Sequence, residues 1–157
     1  MEEFKVEELD RAVGPGEVGA DIRKQISSLS VAEKIRLLNT TSKKKVRAML
    51  VRDPNTMISA SVIASPNVMP EEIQEFARTK DLHSDVLKAI ADHRRYSSDR
   101  LIVWNLLNNP KVPIVTSRHL IRKFGFTWKE LTSIVKNRDL PQALRNLALR
   151  LSQTKRQ

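Results

Sequence analysis

The chain has 157 residues, of which 40% are hydrophobic and 29% charged, and it carries a formal net charge of +10. This length predicts one domain of common size, and only four glycines and 4% aromatic residues disfavour a sandwich or barrel rich in tight turns. The absence of cysteine excludes disulfides, thiolate zinc sites, iron–sulfur clusters and cysteine nucleophiles.

The first 22 residues differ in charge from the remainder. They hold seven acidic and two basic residues, so this segment carries −5 and the rest of the chain +15. Gly14, Gly16 and Gly19 follow the G-x-G-x-x-G pattern of dinucleotide-binding turns, but the segment before them is charged and does not read as a strand. We therefore predict a flexible acidic arm and Gly/Pro linker over 1–22, able to mask a basic surface, and a folded domain over 23–157.

The remaining sequence predicts short helices in succession and no strand, because apolar residues recur at three- and four-residue spacing. Ser30 with Glu33, and Thr127 with Glu130, fit the capping box that opens a helix. Gly125 suits a left-handed helix end. Four prolines suit the first position of a helix: Pro54, Pro70, Pro113 and Pro141. About nine helices are expected, near 31–39, 43–52, 54–64, 70–80, 84–94, 98–108, 113–124, 128–137 and 141–153.

An internal repeat appears when the chain is shifted along itself by 44 residues, which aligns apolar positions and helix breaks together. The aligned pairs include Ala60 with Trp104, Val62 with Leu106, Val68 with Val112, Phe76 with Leu120, Leu87 with Leu131, Ile90 with Ile134 and Arg94 with Arg138. A partial third copy at a shift of 43 places Leu101, Trp104 and Leu106 on Leu144, Leu147 and Leu149. This period is typical of armadillo and HEAT repeats and predicts an all-α fold, a short right-handed α-solenoid capped by helix 141–153.

Several segments resemble a family of uncharacterised bacterial HEAT/armadillo-like helical-repeat proteins. They are Val46 to Asn55 (VRAMLVRDPN), Asp85 to Ala91 (DVLKAIA), Leu106 to Pro113 (LLNNPKVP) and Leu140 to Ala143 (LPQA). The resemblance covers about residues 30–152 and implies the helical-repeat architecture. It implies no activity and no binding residues.

No residue pattern predicts catalysis, a cofactor or a metal site. His83, His93 and His119 lack the i,i+4 spacing that presents a metal on one helix face, and Glu71 and Glu72 fit a first helical turn, where they offset the dipole. We therefore predict a protein that is not an enzyme.

Two tryptophans are better explained by packing than by base stacking. Trp104 occupies a repeat-equivalent apolar position, and Trp128 begins a capped helix.

The N-terminal sequence lacks the features of a signal peptide, and the most apolar run, Leu101 to Leu107, is interrupted by Asn105. A cytoplasmic protein without membrane insertion is expected.

Basic residues are the remaining candidates for a binding surface. The segment from residue 94 to the end holds fourteen basic and three acidic residues. A second basic cluster is Lys43, Lys44, Lys45, Arg47 and Arg52. The predicted partner-binding residues are Arg94, Arg95, Arg118, Arg122 and Arg138. Arg94 and Arg138 both end the third helix of their repeat, so stacking is expected to bring them to one edge. The alternative is that such bases only complement helix dipoles.

The leading functional hypothesis is therefore a non-enzymatic scaffold or adaptor that binds an acidic protein partner through a basic helical-repeat surface. The alternative is sequence-independent nucleic-acid binding through phosphate contacts.

Overall fold

The fold is helical throughout the part of the chain that the computed structural model describes, residues 2–14, 16 and 18–156, with side chains from residue 5 onward. No strand occurs there, which confirms the all-α prediction. The helices are α1 Glu2–Ala12, α2 Ala20–Ser27, α3 Val31–Thr40, α4 Lys44–Leu50, α5 Thr56–Ile63, α6 Pro70–Arg78, α7 Ser84–Asp92, a 3-10 turn Tyr96–Ser98, α8 Arg100–Leu107, α9 Ile114–Lys123, α10 Trp128–Lys136 and α11 Gln142–Lys155. They exceed the nine predicted because α1 and α2 both precede residue 31, near which the first helix was predicted to begin.

Both predicted capping boxes are present. The Ser30 hydroxyl accepts from the Glu33 amide at 3.2 Å, and the Glu33 carboxylate accepts from the Ser30 amide at 2.9 Å. The Thr127 hydroxyl accepts from the Glu130 amide at 3.2 Å, and the Glu130 carboxylate accepts from the Thr127 amide at 2.7 Å. These reciprocal bonds satisfy backbone donors that the first turn of a helix leaves without an intrahelical partner.

The predicted left-handed helix end at Gly125 is wrong. No described residue has a positive φ, and Phe124, the residue directly after α9, is extended with φ −114° and ψ 151°. The Phe126 amide then donates to the Phe124 carbonyl at 3.0 Å. Phe126 is buried, so a tight turn carries the chain inward where a left-handed cap was expected.

The chain divides into two compact units, one ending at Glu72 and the other beginning at Ile73. This division falls within α6.

In the first unit, α1 packs against α3. Val6 and Leu9 of α1, and Val13 directly after it, are buried at three- and four-residue spacing. Asp10 adds polar contacts, because its carboxylate accepts from the Thr41 hydroxyl at 2.6 Å and its carbonyl from the Lys43 ammonium. The acidic residues of α1 therefore share a helix with an apolar face that is covered.

Replacing Leu9 by alanine should lower the free energy of unfolding by about 2 kcal/mol or more, because a buried leucine is removed from the α1–α3 contact. The matched control is Glu8→Ala on the exposed side of the same helix, with an expected change within about 0.5 kcal/mol. Urea unfolding followed by circular dichroism measures both. Equal stability of the two variants would show that α1 does not contribute to the first unit.

A buried ion pair joins α4 to the first turn of α6. The Arg47 guanidinium contacts both carboxylate oxygens of Glu72, Nε to Oε1 at 2.8 Å and Nη2 to Oε2 at 2.9 Å. Both side chains are almost completely buried, and Glu72 also accepts from the Met69 amide at 2.8 Å. Arg47, grouped by sequence with surface bases, is therefore an internal residue.

Removal of one partner from this pair should be costly, because the other charge stays buried without compensation. We expect Glu72→Ala to lower the free energy of unfolding by about 3–5 kcal/mol. The double variant Arg47→Met/Glu72→Leu should lose much less, since two apolar side chains replace the pair. A double-mutant cycle in urea measures the coupling, and additive losses would contradict a tightly coupled pair.

The second unit is built from helices that reverse direction at each connection. At one end, the Asn109 side chain donates to the carbonyls of Ala77 at 2.9 Å and Thr79 at 3.0 Å. Lys80 pairs with Asp139 at 3.4 Å. The connections that follow α6, α8 and α10 therefore lie together, and we call this the Asn109 end.

At the other end, the Lys123 ammonium donates to the Ser97 hydroxyl at 3.0 Å, and Arg100 pairs with Glu130 at 2.7 Å. These contacts bring together the connections that follow α7 and α9, and we call this the Ser97 end. The two sets of contacts require that α6, α8 and α10 point one way and α7 and α9 the opposite way.

The 44-residue period recurs in the helices themselves. α5, α6 and α7 begin at residues 56, 70 and 84, and α8, α9 and α10 begin at 100, 114 and 128, each 44 residues later. Burial follows the same offset: the aligned pairs Val62 and Leu106, and Ile90 and Ile134, are all buried. The proposed third copy does not preserve burial, since Leu106 is buried whereas its partner Leu149 is 44% exposed.

Candidate functional site

The two ends of the second unit differ in charge. At the Ser97 end, the segments 93–100, 122–130 and 153–156 hold eight bases and two acids. The bases are Arg94, Arg95, Arg100, Arg122, Lys123, Lys129, Lys155 and Arg156. At the Asn109 end, the segments 79–84, 108–114 and 136–142 hold four bases and two acids. The fold therefore concentrates the basic residues of this unit at the Ser97 end.

Four of the five predicted binding residues lie at the Ser97 end or on the helix that leads to it. Arg94 and Arg95 follow α7, and the Ser98 hydroxyl donates to the Arg94 carbonyl at 3.0 Å. Arg118 and Arg122 are one helical turn apart on α9, so they share a face. All four side chains are exposed, and none makes an ion pair within the described part of the chain.

Arg138 lies elsewhere. It precedes Asp139, whose carboxylate pairs with Lys80 at the Asn109 end. Arg94 and Arg138 are therefore separated by a helix of nine residues, a length of about 13 Å, and do not meet at one edge as expected. The reason is the odd number of helices per repeat: after three reversals, the equivalent helices α7 and α10 run in opposite directions.

A second set of residues holds the Ser97 end together, and sequence patterns did not reveal it. The Arg100 guanidinium contacts Glu130 and also lies over the ring of buried Phe126, 4.9 Å from its centroid. Phe126 in turn packs against Trp104 with ring centroids 5.7 Å apart. The contacts of Arg100 and Lys123 therefore position the end, whereas Arg94, Arg95 and Arg122 extend from it.

The two tryptophans have different environments. Trp104 is half-buried against Phe126, as the packing interpretation expects. Trp128 is 41% exposed, and the Arg156 guanidinium lies 5.7 Å from its ring centroid. Trp128 also lines a shallow surface depression together with Lys129 and Lys136. Its exposed ring therefore lies on a basic part of the surface.

Complementing helix dipoles accounts for only part of this charge. Arg122 and Lys123 lie in the last turn of α9, where a base stabilises the helix C-terminus. Arg94 and Arg95 lie beyond the C-cap of α7, whose last turn holds no base. Because the dipole effect falls off within one turn, it does not explain these two residues.

Within the described residues, no group of three or more histidine, aspartate or glutamate side chains is arranged to hold a metal ion. None of the described helices has the length and apolar character needed to cross a membrane.

Comparison with known proteins identifies no relative: no family model, curated protein or solved structure matches the chain. The resemblance to bacterial HEAT-like proteins therefore remains a prediction from the sequence. What supports a function is the geometry and charge of the Ser97 end.

Glu130 makes stability at the Ser97 end dependent on pH. Partial burial acts to raise the pKa of Glu130, but hydrogen bonds from the Thr127 amide and hydroxyl and from Arg100 outweigh it, with the charge of Arg100 adding to them. The pKa of Glu130 therefore lies below its ordinary value of 4.5. A lowered pKa in the folded state means that this stabilisation is complete above the ordinary value and is lost as the pH falls through the folded value.

We expect Glu130→Gln to be less stable than the native chain at pH 7, with a difference that shrinks as the pH falls below about 4.5. The free energy of unfolding in urea, measured for both proteins from pH 7 to pH 3, tests this. A difference that stays constant over the whole range would mean that the charge of Glu130 is not responsible.

Proposed function

We propose that this chain is a non-enzymatic scaffold or adaptor module that binds an acidic segment of a protein partner at the Ser97 end of its second unit. The observation that carries the proposal is the cluster of exposed arginines Arg94, Arg95 and Arg122. It lies beside the connection after α7, which the hydrogen bond from Lys123 to Ser97 joins to α9. Guanidinium groups suit carboxylate recognition because their planar donors match both oxygens of a carboxylate.

Arg118 extends this surface along α9, since it lies one turn before Arg122 and is exposed. Two like charges at this spacing repel each other by about 0.2–0.5 kcal/mol, which an anionic partner would relieve. Arg138 belongs to the other end of the unit and becomes a control residue.

We further propose that the second unit is a short right-handed α-solenoid of HEAT/armadillo-like repeats. The alternating helix directions support this architecture, and so does the contact of α9 with both α7 and α11. The repeating element in space is then an antiparallel pair of helices, because a three-helix unit inverts its successor. Such stacks present the connections of successive pairs along one edge, where a partner can lie.

Nucleic-acid binding is the second candidate, and exposed Trp128 favours it. Bases stack on aromatic side chains, and alanine substitution at such positions costs about 1–3 kcal/mol per base. Arg156 lies over the Trp128 ring, and Lys129 and Lys136 line the same depression as Trp128, so bases suited to phosphate contacts accompany it.

Charge reversal separates a specific surface from general attraction. The variant Arg94→Glu/Arg95→Glu/Arg122→Glu should weaken binding of a fluorescent polyglutamate peptide at least about tenfold, with an unchanged melting temperature. Arg138→Glu is the matched control, because it reverses an exposed arginine after a helix at the opposite end, and it should change binding less than about twofold. A control variant that loses as much affinity per charge as the triple variant would contradict a defined site.

The same titration with random duplex and single-stranded DNA tests the second candidate. We expect polyglutamate to bind more tightly than either DNA at equal salt. The nucleic-acid function is favoured instead if single-stranded DNA binds more tightly, if its affinity falls steeply with salt, and if Trp128→Ala weakens it about fivefold or more.

A further inference from the structure

The first unit contains a groove that is separate from the Ser97 end. Helices α2, α3, α4 and α5 and the connection between α4 and α5 line a volume of about 920 Å³. Ligand sites in proteins usually enclose about 300–1,000 Å³, so this groove is at the large end of that range.

The floor of the groove is apolar and partly uncovered. Ile26, Leu50 and Ile58 are buried at its base. Val31 is 44% exposed and Met49 is half-buried, so both present apolar surface to the groove. Methionine adapts its shape readily to an apolar side chain from another molecule, because its unbranched chain has three rotatable bonds.

The charged residues around this floor are predominantly basic. Arg23, Lys34, Lys45 and Arg52 line the groove, and Asp53 is the one acidic lining residue among those described. Asp53 is paired with Lys34 at 2.6 Å and also accepts from the Asn55 amide at 2.8 Å. The lining therefore carries a formal charge of +3, and its single carboxylate is already occupied within the unit.

We propose that this groove binds the apolar face of an acidic amphipathic helix from a partner protein. A groove of this volume accepts several apolar side chains from one helix face, at positions i, i+3, i+4 and i+7. The acidic flanks of such a helix would face the basic lining. The same unit already shows this mode of packing, since the acidic helix α1 packs against α3 and its Val6 and Leu9 are buried.

The proposal does not depend on the Ser97 end, because every lining residue belongs to the first unit. A synthetic peptide with leucine at i, i+3, i+4 and i+7 and glutamate at most other positions is the probe. Its fluorescence anisotropy is measured with the full chain. We expect saturable binding, and binding at least about tenfold weaker for a peptide of equal composition whose leucines are dispersed around the helix.

Two variants place the peptide in the groove. Met49→Glu puts a charge on the apolar floor and should weaken binding at least about tenfold. Its matched control is Met57→Glu, which makes the same change at a 66% exposed methionine outside the groove and should leave binding unchanged.

Arg23→Glu tests the charged lining on an exposed position of α2, where loss of folding is not expected. It should weaken peptide binding about two- to tenfold at low salt and less at high salt, whereas Lys24→Glu, an exposed neighbour outside the groove, should have little effect.

Three results would overturn the proposal. The first is equal binding of the two peptides, which would indicate charge attraction alone. The second is a loss of peptide binding in Arg94→Glu/Arg95→Glu/Arg122→Glu with none in Arg23→Glu, which would place the peptide at the Ser97 end. The third is that decanoate binds saturably, that Met49→Glu abolishes this binding, and that the peptide does not bind. This result would identify the occupant as a small amphiphile. Binding of the peptide at the groove with no binding of polyglutamate would contradict the proposed function alone.

Discussion

Helices of seven to ten residues are not stable alone in water, and α3 to α10 all have these lengths. Each must bury an apolar stripe against its neighbours, and in the second unit the short connections bring consecutive helices together in opposite directions. The capping boxes of α3 and α10 reduce the cost of having so many helix ends. The arrangement of the helices therefore follows from the need of each one for its neighbours.

The reversal of direction also decides where the charges lie. In the second unit, every connection lies at one of two ends. The end at which a terminal base lies therefore depends on the direction of its helix. Arg94, Arg95 and Arg122 lie at the Ser97 end because Arg94 and Arg95 follow α7 and Arg122 is in the last turn of α9, a helix of the same direction. Arg138 follows α10, which points the other way. The location of the basic surface thus follows from the order of the helices. The contacts of Lys123 with Ser97 and of Arg100 with Glu130 hold its connections together.

The interior of the molecule shows a different use of charge. Arg47 and Glu72 are buried together, and Lys34 and Asp53 form a second, nearly buried pair. Both pairs join residues far apart in sequence and lie in the first unit, where they tie α4 to α6 and α3 to the connection after α4. The groove of the first unit lies beside the Lys34–Asp53 pair, since both residues line it.

Local features of the sequence predicted local structure well. Each of the nine expected helices overlaps one of α3 to α11, and both capping boxes are present, because spacing and caps act within one turn. Helix α1 was not predicted, although Val6 and Leu9 have helical spacing, because its apolar face is short and is stabilised by the contact with α3. Burial of Arg47 and the inward turn at Gly125 depend on tertiary contacts, which no local pattern encodes. The 44-residue period gave the equivalent positions correctly but holds no information on direction, so it could not separate Arg94 from Arg138.

The number of helices in that period imposes a rule of parity on the second unit. Inserting one further copy of 44 residues would add three helices, so every later helix would reverse and its connections would move to the other end. The bases now gathered at the Ser97 end would then be divided between both ends, although the local sequence around each of them would be unchanged. Inserting two copies would restore the original polarity. A chain of this kind therefore keeps a one-sided charge distribution only when it is lengthened by an even number of helices.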